Sequence, residues 1–270
     1  MKNKISVLLI VLIWVLPLPV LASAKYYVGH CRNYPPDIYF ENGKCTGIVA
    51  DLVSDIVTEL GLKIKWQKVP WGRSLIDAQK GEVDLLIRHS MTPERQYYLN
   101  EIKYKDEFRT LAFYKSPSFK FDISSYEELE KVNVGMIRGV FYSPTFTTLD
   151  ISRLTAVSES KQLLGMLERG RIDVVVTSKS HDIHLFEDQF DKAILTETFK
   201  NPNYISIPNH SKLMVHYDDI ARLMLDYRKS GRIDQYFEKY DAPIPDQTFD
   251  DAHGSESIKK CHNISADCDL

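Results

Sequence analysis

One short unit occurs twice in this chain and limits its architecture more than any other feature. Gly81-Glu82-Val83-Asp84-Leu85-Leu86-Ile87 is matched in kind by Gly170-Arg171-Ile172-Asp173-Val174-Val175-Val176. Each copy follows a helical segment, Gly72 to Lys80 in the first and Ser160 to Arg169 in the second. Glycine stops such a helix because it enters the left-handed region without a Cβ penalty. The aspartate satisfies the backbone at the turn into the next strand, a structural role. The closing apolar run has the length of a strand buried on both faces.

Neighbouring segments extend the pattern. Tyr26 to Gly29 reads as a strand, and Ile48, Leu52, Val53, Ile56, Val57 and Leu60 recur at helical spacing before the stop at Gly61. Leu62 to Trp66 then alternates as a strand does, and Val132 to Met136 supplies a strand ahead of the second unit. Strands alternating with helices imply an α/β fold of two similar lobes, each with a parallel sheet covered on both faces. Tyr204 to Pro208 is a further strand. Two helices follow, Leu213 to Lys229 and Ile233 to Tyr240, and are expected to pack back on the first lobe. The chain would cross between lobes near Ala112–Ser116 and near Ser206–Asn209. That places residues 25–112 with 208–245 in the first lobe, 113–207 in the second and 246–270 in a polar C-terminal tail.

The N-terminus reads as an address. Lys2 and Lys4 precede the apolar run Ile5 to Trp14, Pro17 and Pro19 break any helix, and Ala22-Ser23-Ala24 has the small-x-small pattern of a cleavage site. The run is shorter than the roughly 20 residues of a spanning helix. Residues 1–24 are therefore expected to leave as a signal peptide. Losing Lys2 and Lys4 takes the formal net charge from −3 to −5, which gives no electrostatic reason to expect nucleic acid or an anionic membrane surface. All four cysteines, Cys31, Cys45, Cys261 and Cys268, lie in the exported part. An even count in an exported chain favours disulfides. Of the three pairings, Cys31–Cys45 with Cys261–Cys268 closes two short loops and is the expectation. A zinc site helped by His30 and His262 is the alternative, although no C-x-x-C spacing is present.

The sharpest chemical constellation is Arg88-His89-Ser90-Met91-Thr92-Pro93-Glu94-Arg95, directly after a buried strand. Thr92 caps a helix that Pro93 begins. Ser90, the amides of that helix start and the Arg95 guanidinium then converge outside the carboxyl end of the sheet, where open α/β sheets bind ligands. Arginine grips a carboxylate through two parallel hydrogen bonds. Tyr34, after the first strand, and Trp71, after the second, belong at the same sheet edge.

Tyr34-Pro35-Pro36, Asn42-Gly43, Gly47, Pro70-Trp71-Gly72-Arg73, Gly81-Glu82-Val83-Asp84, Thr92-Pro93-Glu94-Arg95 and Gly231-Arg232-Ile233-Asp234 resemble the family-three bacterial extracellular solute-binding proteins, from Lys25 to about Tyr240. The resemblance implies a type II-like periplasmic binding protein fold. In it, two α/β lobes are joined by two crossover strands and close by hinge bending on a ligand in the cleft between them. It further implies a periplasmic monomer without a cofactor that delivers its ligand to an ABC permease. By the family's pattern Arg95 binds a ligand carboxylate, Ser90 hydrogen-bonds the ligand, and Trp71 and Tyr34 pack on it.

The second lobe departs from that pattern. Arg138-Gly139-Val140-Phe141-Tyr142 stands where Gly-Thr or Gly-Ser is usual, and Ser178, after Thr177, stands where an aspartate usually holds the α-ammonium. Arg138, Phe141, Thr177 and Ser178 are the second lobe's candidate contacts, and Arg88 adds positive charge where glycine is common. A desolvated ammonium without a carboxylate partner is costly, so the expected ligand is anionic or aromatic. Two other functions use the same scaffold. A cyclohexadienyl dehydratase-like enzyme needs a general acid, with Glu168, Asp182, His181 and His184 as candidates, the two histidines also forming a metal-ligand pair at i, i+3. A sensor would dock its closed form on a membrane receptor.

Overall fold

The computed structural model describes residues 26–150, 152–179 and 181–245. The signal peptide and the Cys261–Cys268 pair expected from the sequence lie outside the described residues. The chain runs β1 (Tyr26–Cys31), the hairpin β2 (Tyr39–Glu41) and β3 (Lys44–Thr46), α1 (Ile48–Glu59), β4 (Lys63–Lys68), α2 (Trp71–Lys80), β5 (Leu85–His89), α3 (Pro93–Gln96) and β6 (Leu99–Lys105). It continues through β7 (Phe108–Lys115), α4 (Tyr126–Leu129), β8 (Val134–Ile137), α5 (Pro144–Thr147), β9 (Leu154–Val157), α6 (Ser160–Glu168), β10 (Val174–Ser178) and β11 (Lys192–Lys200). It ends with β12 (Asn203–Pro208), α7 (Tyr217–Lys229) and α8 (Arg232–Lys239).

Two five-stranded sheets result, ordered β4-β1-β5-β12-β6 and β9-β8-β10-β7-β11. Within each, two pairings are parallel and two are antiparallel, so one strand, β12 in the first sheet and β7 in the second, runs against the other four. The sheets are therefore mixed, where alternation of strands and helices implied purely parallel ones. The antiparallel pairings involve the strands next to the crossings. β7 and β11 pair in the second sheet and β6 and β12 in the first. The chain thus changes sheets at Asp106–Glu107 and Asn201–Pro202, ahead of the crossings expected near residues 112 and 207. Each crossing is a two-residue break between adjacent strands.

The repeated unit does in space what its chemistry implies. Asp84 accepts from the Val28 amide at 2.8 Å and from Ser211 Oγ at 2.8 Å, while Asp173 accepts from the Asn133 amide at 2.8 Å. Each aspartate ties its own strand to the neighbouring parallel one. Alternation then covers both sheet faces. Leu85 and Ile87 pack with α1, α7 and α8, whereas Leu86 packs with Trp71 and Ala78. Val174 and Val176 likewise face one cluster and Val175 another. The C-terminal helices return to the first lobe through Ile220, Met224, Ile233 and Phe237. Residues Lys212–His216 form a 3-10 turn before α7, where one continuous helix from Leu213 was expected, and Ser211 Oγ caps that turn by accepting from the Leu213 amide. Cys31 and Cys45 form a disulfide with a Cα–Cα distance of 6.0 Å. Among the described residues no helix is long and apolar enough to cross a membrane.

Candidate ligand-binding site

Three loops at the carboxyl ends of first-lobe strands build one wall of the site. After β1, Tyr34 and Ile38 exchange backbone hydrogen bonds, and the carbonyls of Pro36 and Asp37 accept from the Ile48 and Val49 amides at the start of α1. Gly47 makes that approach possible. Its φ is +112°, and a Cβ there would lie 2.7 Å from both carbonyl oxygens. The loop so fixed presents Tyr34 and Asp37. Arg88, in β5, adopts a left-handed φ of 56° and its Nε donates to Asp37 Oδ2 at 2.7 Å. Burial alone would lower the Arg88 pKa, but Asp37 raises it; Asp37 in turn is held below the usual carboxylate range against its own burial. The Thr92 hydroxyl accepts from the Arg95 amide, as its sequence predicts. However, α3 is a single turn, so Arg95 contributes its side chain rather than a long helix its N-terminus.

The second lobe meets this wall at Gly139. Its carbonyl accepts from Trp71 Nε1 at 2.8 Å and from Arg95 at 2.6 Å. A Cβ on Gly139, at φ +75°, would stand 3.0 Å from Leu75 Cδ1 and 3.4 Å from Gly72 Cα. The two lobes are thus in van der Waals contact here, in a closed arrangement.

Behind the contact lies a cavity of about 20 Å³, room for about one water molecule. Four guanidinium groups line it, those of Arg32, Arg88, Arg95 and Arg109, together with Tyr34, Trp71, His89, Ser90, Val140, Phe141 and His181. No aspartate or glutamate lines it. Arg88 is paired with Asp37, and Arg109 with Glu107 at 3.3 Å. Arg32 donates to the carbonyls of Ile87 and Arg88, and Arg95 to those of Ser90 and Gly139. Neither of these two has a carboxylate partner among the described residues. Burial lowers the Arg32 pKa to about 9 and that of Arg95 to about 10, so both remain charged at neutral pH. The aromatic rings are already engaged by these cations. Arg32 lies 4.5 Å and Arg95 5.2 Å from the Trp71 ring centre, and Arg88 lies 4.6 Å from that of Tyr34.

The histidines are neutral. Burial, with Arg95 nearby, lowers the His89 pKa to about 3, and burial with Arg109, Arg88 and Arg32 around it keeps that of His181 well below 6.5. His89 Nδ1 sits 3.0 Å from the Ser90 carbonyl. In the neutral ring Nδ1 therefore carries the proton, which leaves Nε2 a bare acceptor, and it has no partner in the structure. Arg109 Nε is likewise buried without one.

Tyr34, Trp71, Arg88, Ser90, Arg95 and Phe141, all proposed from the sequence, converge on this cavity. Three do not. Arg138 is exposed and donates to the Ala156 carbonyl at 2.9 Å. Thr177 and Ser178 are buried but turn to the protein. Thr177 Oγ1 donates to the His181 carbonyl at 2.5 Å, and Ser178 Oγ lies 2.8 Å from His181 Nδ1. Ser178 thus holds the His181 imidazole and Thr177 the His181 backbone. The i, i+3 metal reading fails on exposure, since His181 is buried and His184 exposed. No group of three or more metal-ligating side chains occurs among the described residues. Sequence reading missed Arg32, His89 and Arg109. Arg32 carries a legible signal, one residue beyond a strand end and two before Tyr34. Arg109 does not, because it lies past the crossing.

A sequence profile of the bacterial extracellular solute-binding proteins, family 3, matches residues 26–241. The chain belongs to that family. Among curated proteins this family 3 chain is similar to a probable amino-acid-binding protein, YxeM, of Bacillus subtilis (strain 168), at 23% identity over 158 residues. The match spans 57% of this chain and 59% of that relative's length. Solved structures share the fold. An ArgBP mutant from T. maritima superposes with a TM-score of 0.65 at 19% identity, covering 80% of this chain and 94% of that one. An ancestral arginine-binding protein bound to arginine gives 0.65 at 20%, covering 80% and 97%. An ancestral amino acid-binding protein described as a precursor of cyclohexadienyl dehydratase gives 0.62 at 20%, covering 80% and 95%. The fold is accordingly that of the type II-like periplasmic binding proteins.

Proposed function

We propose that this family 3 protein is a periplasmic solute-binding protein that captures a small carboxylate-bearing solute by lobe closure and delivers it to an ABC-type importer. One observation carries the reading: four arginines line the cavity and no carboxylate does. Arg32 and Arg95 form no ion pair with a carboxylate among the described residues, and an anionic head would supply the missing partner. In so small and buried a cavity solvent screening is weak, and each charge-assisted hydrogen bond gains strength. The anionic alternative is favoured over an aromatic ligand, because guanidinium groups already lie over the Trp71 and Tyr34 rings. A partner for His89 Nε2 would come from a donor on the same ligand.

Binding is preferred to dehydration on the placement of the acids. His181 is neutral, Asp182 and His184 line the adjoining outer cleft and not the inner cavity, and Glu168 lines neither space. The test is a thermal-shift panel of α-amino acids, di- and tricarboxylates, aromatic acids and small cations on the mature protein. A ligand at about 100 times its Kd adds about 2.7 kcal/mol of stability. A shift confined to acids and abolished by Arg95→Ala supports the reading. Stabilisation by zwitterionic α-amino acids alone, unaffected by Arg95→Ala, overturns it.

A further inference from the structure

A second, larger chamber adjoins the arginine cavity. It holds about 630 Å³ and shares Arg32, Tyr34 and Trp71 with the inner space. Lys68 enters it from the first lobe, and Glu159, Lys161, Asp182 and His184 from the second. The lobes already touch where Gly139 meets Trp71, Gly72 and Leu75, and this chamber stays open beside that contact. The inner cavity is far below the roughly 300–1,000 Å³ of ordinary ligand sites. It suits an acidic head whose remaining atoms lie elsewhere. The carboxylates of the cleft are divided between the chambers in the same sense, although Arg32, Lys68 and Lys161 line the outer one as well. The inner one offers guanidinium groups and no carboxylate, and the carboxylates that line the cleft, Glu159 and Asp182, stand in the outer one.

We propose that the two chambers together bind a short peptide. Its C-terminal carboxylate lies among the inner arginines, and its N-terminal ammonium faces Glu159 and Asp182 in the outer chamber. The separation of the two charges is the specificity device: an α-amino acid places its ammonium beside the arginines, where no carboxylate receives it. The proposal rests on the carboxylate-binding reading above and adds the length and far end of the ligand.

Calorimetric titration of the mature protein tests it, with a panel of alanyl dipeptides, their N-acetylated forms, free alanine, succinate and 6-aminohexanoate. Glu159→Gln and Asp182→Asn are the variants. Glutamine keeps the acceptor with which Glu159 caps α6, and asparagine tolerates the left-handed φ of 57° at Asp182. The expected result is a free dipeptide bound at least tenfold more tightly than alanine or its acetylated form. The double variant erases that difference without changing affinity for the acetylated peptide. Equal binding of free and acetylated dipeptides, or variants without effect, overturns it. Succinate bound through Arg95 with no dipeptide bound leaves the carboxylate reading standing and removes the peptide. Binding of 6-aminohexanoate as tight as the best dipeptide also removes the peptide, in favour of an ω-amino acid. If no acid binds, both readings fall.

Discussion

The Cys31–Cys45 bond supports the loop that presents half of the site, so its removal should be felt in both stability and binding. The bonded residues are 14 apart, and cross-linking a loop of about that length is worth about 3 kcal/mol through the unfolded chain's lost freedom. For a domain of roughly 150–250 residues each kcal/mol moves Tm by about 2–4 °C. Cys31→Ala/Cys45→Ala should therefore lower Tm by about 6–12 °C. Alanine is the substitute of choice because Cys31 is fully buried and Cys45 nearly so, and a serine hydroxyl there adds a desolvation penalty. The closed loop contains Arg32, Tyr34 and Asp37, hence affinity for the acidic ligand should fall as well. Thermal unfolding by circular dichroism gives the first number, and alkylation of the native oxidised protein checks the bond itself. A Tm change under about 2 °C, or ready labelling of Cys31 in untreated protein, would refute this account of the loop.

Acid should destabilise the protein earlier than its carboxylates explain. Burial holds His89 and His30 at about 3 and about 4 in the folded state, against an ordinary 6.5. The unfolded chain takes up these protons first, so stability falls as pH drops through 6.5. His89 contributes up to about 1.4 kcal/mol per pH unit until its folded pKa is reached. Urea unfolding from pH 7.5 to 4.5 should show the slope, and His89→Gln should flatten it; an unchanged profile contradicts the burial argument. Arg88→Ala leaves Asp37 buried without its closest ion-pair partner and should cost about 3–5 kcal/mol in ligand-free protein, with Arg88→Lys recovering part. A thermal scan matching wild type would remove that pair from the site's framework. Gly139→Ala forces a left-handed alanine costing about 1–2 kcal/mol and sets its Cβ against Leu75, so ligand affinity should fall about tenfold; unchanged affinity contradicts closure through Gly139.

What could be read from the sequence follows the range of the forces involved. The repeated helix-glycine-aspartate-strand unit is local chemistry, and Asp84 and Asp173 make the backbone bonds that their positions imply. The candidate residues on strand ends and in one contiguous motif, from Tyr34 to Arg95, also reach the cavity, because strand direction alone places them. Residues whose role depends on partners distant in the chain were less legible. Arg109 reaches Ser90 and Phe141 only because β7 belongs to the second sheet, and nothing near it in sequence records that pairing. Thr177 and Ser178 stand at the right strand end. Their hydroxyls are taken by His181 a few residues on, Thr177 by its carbonyl and Ser178 by its ring, and local bonding of this kind competes with any ligand. Arg138 sits beside a cavity residue in sequence yet faces the surface.

The most direct test of the central claim compares one acid with its own neutral amide. The best carboxylate from the panel and the corresponding carboxamide differ little in shape, so titration of each isolates the charge that the arginine cavity is held to recognise. The account predicts a loss of affinity of about 100-fold for the amide, about 2.7 kcal/mol, and a much smaller loss in the Arg95→Ala protein. Equal affinity for acid and amide in the wild-type protein would contradict it.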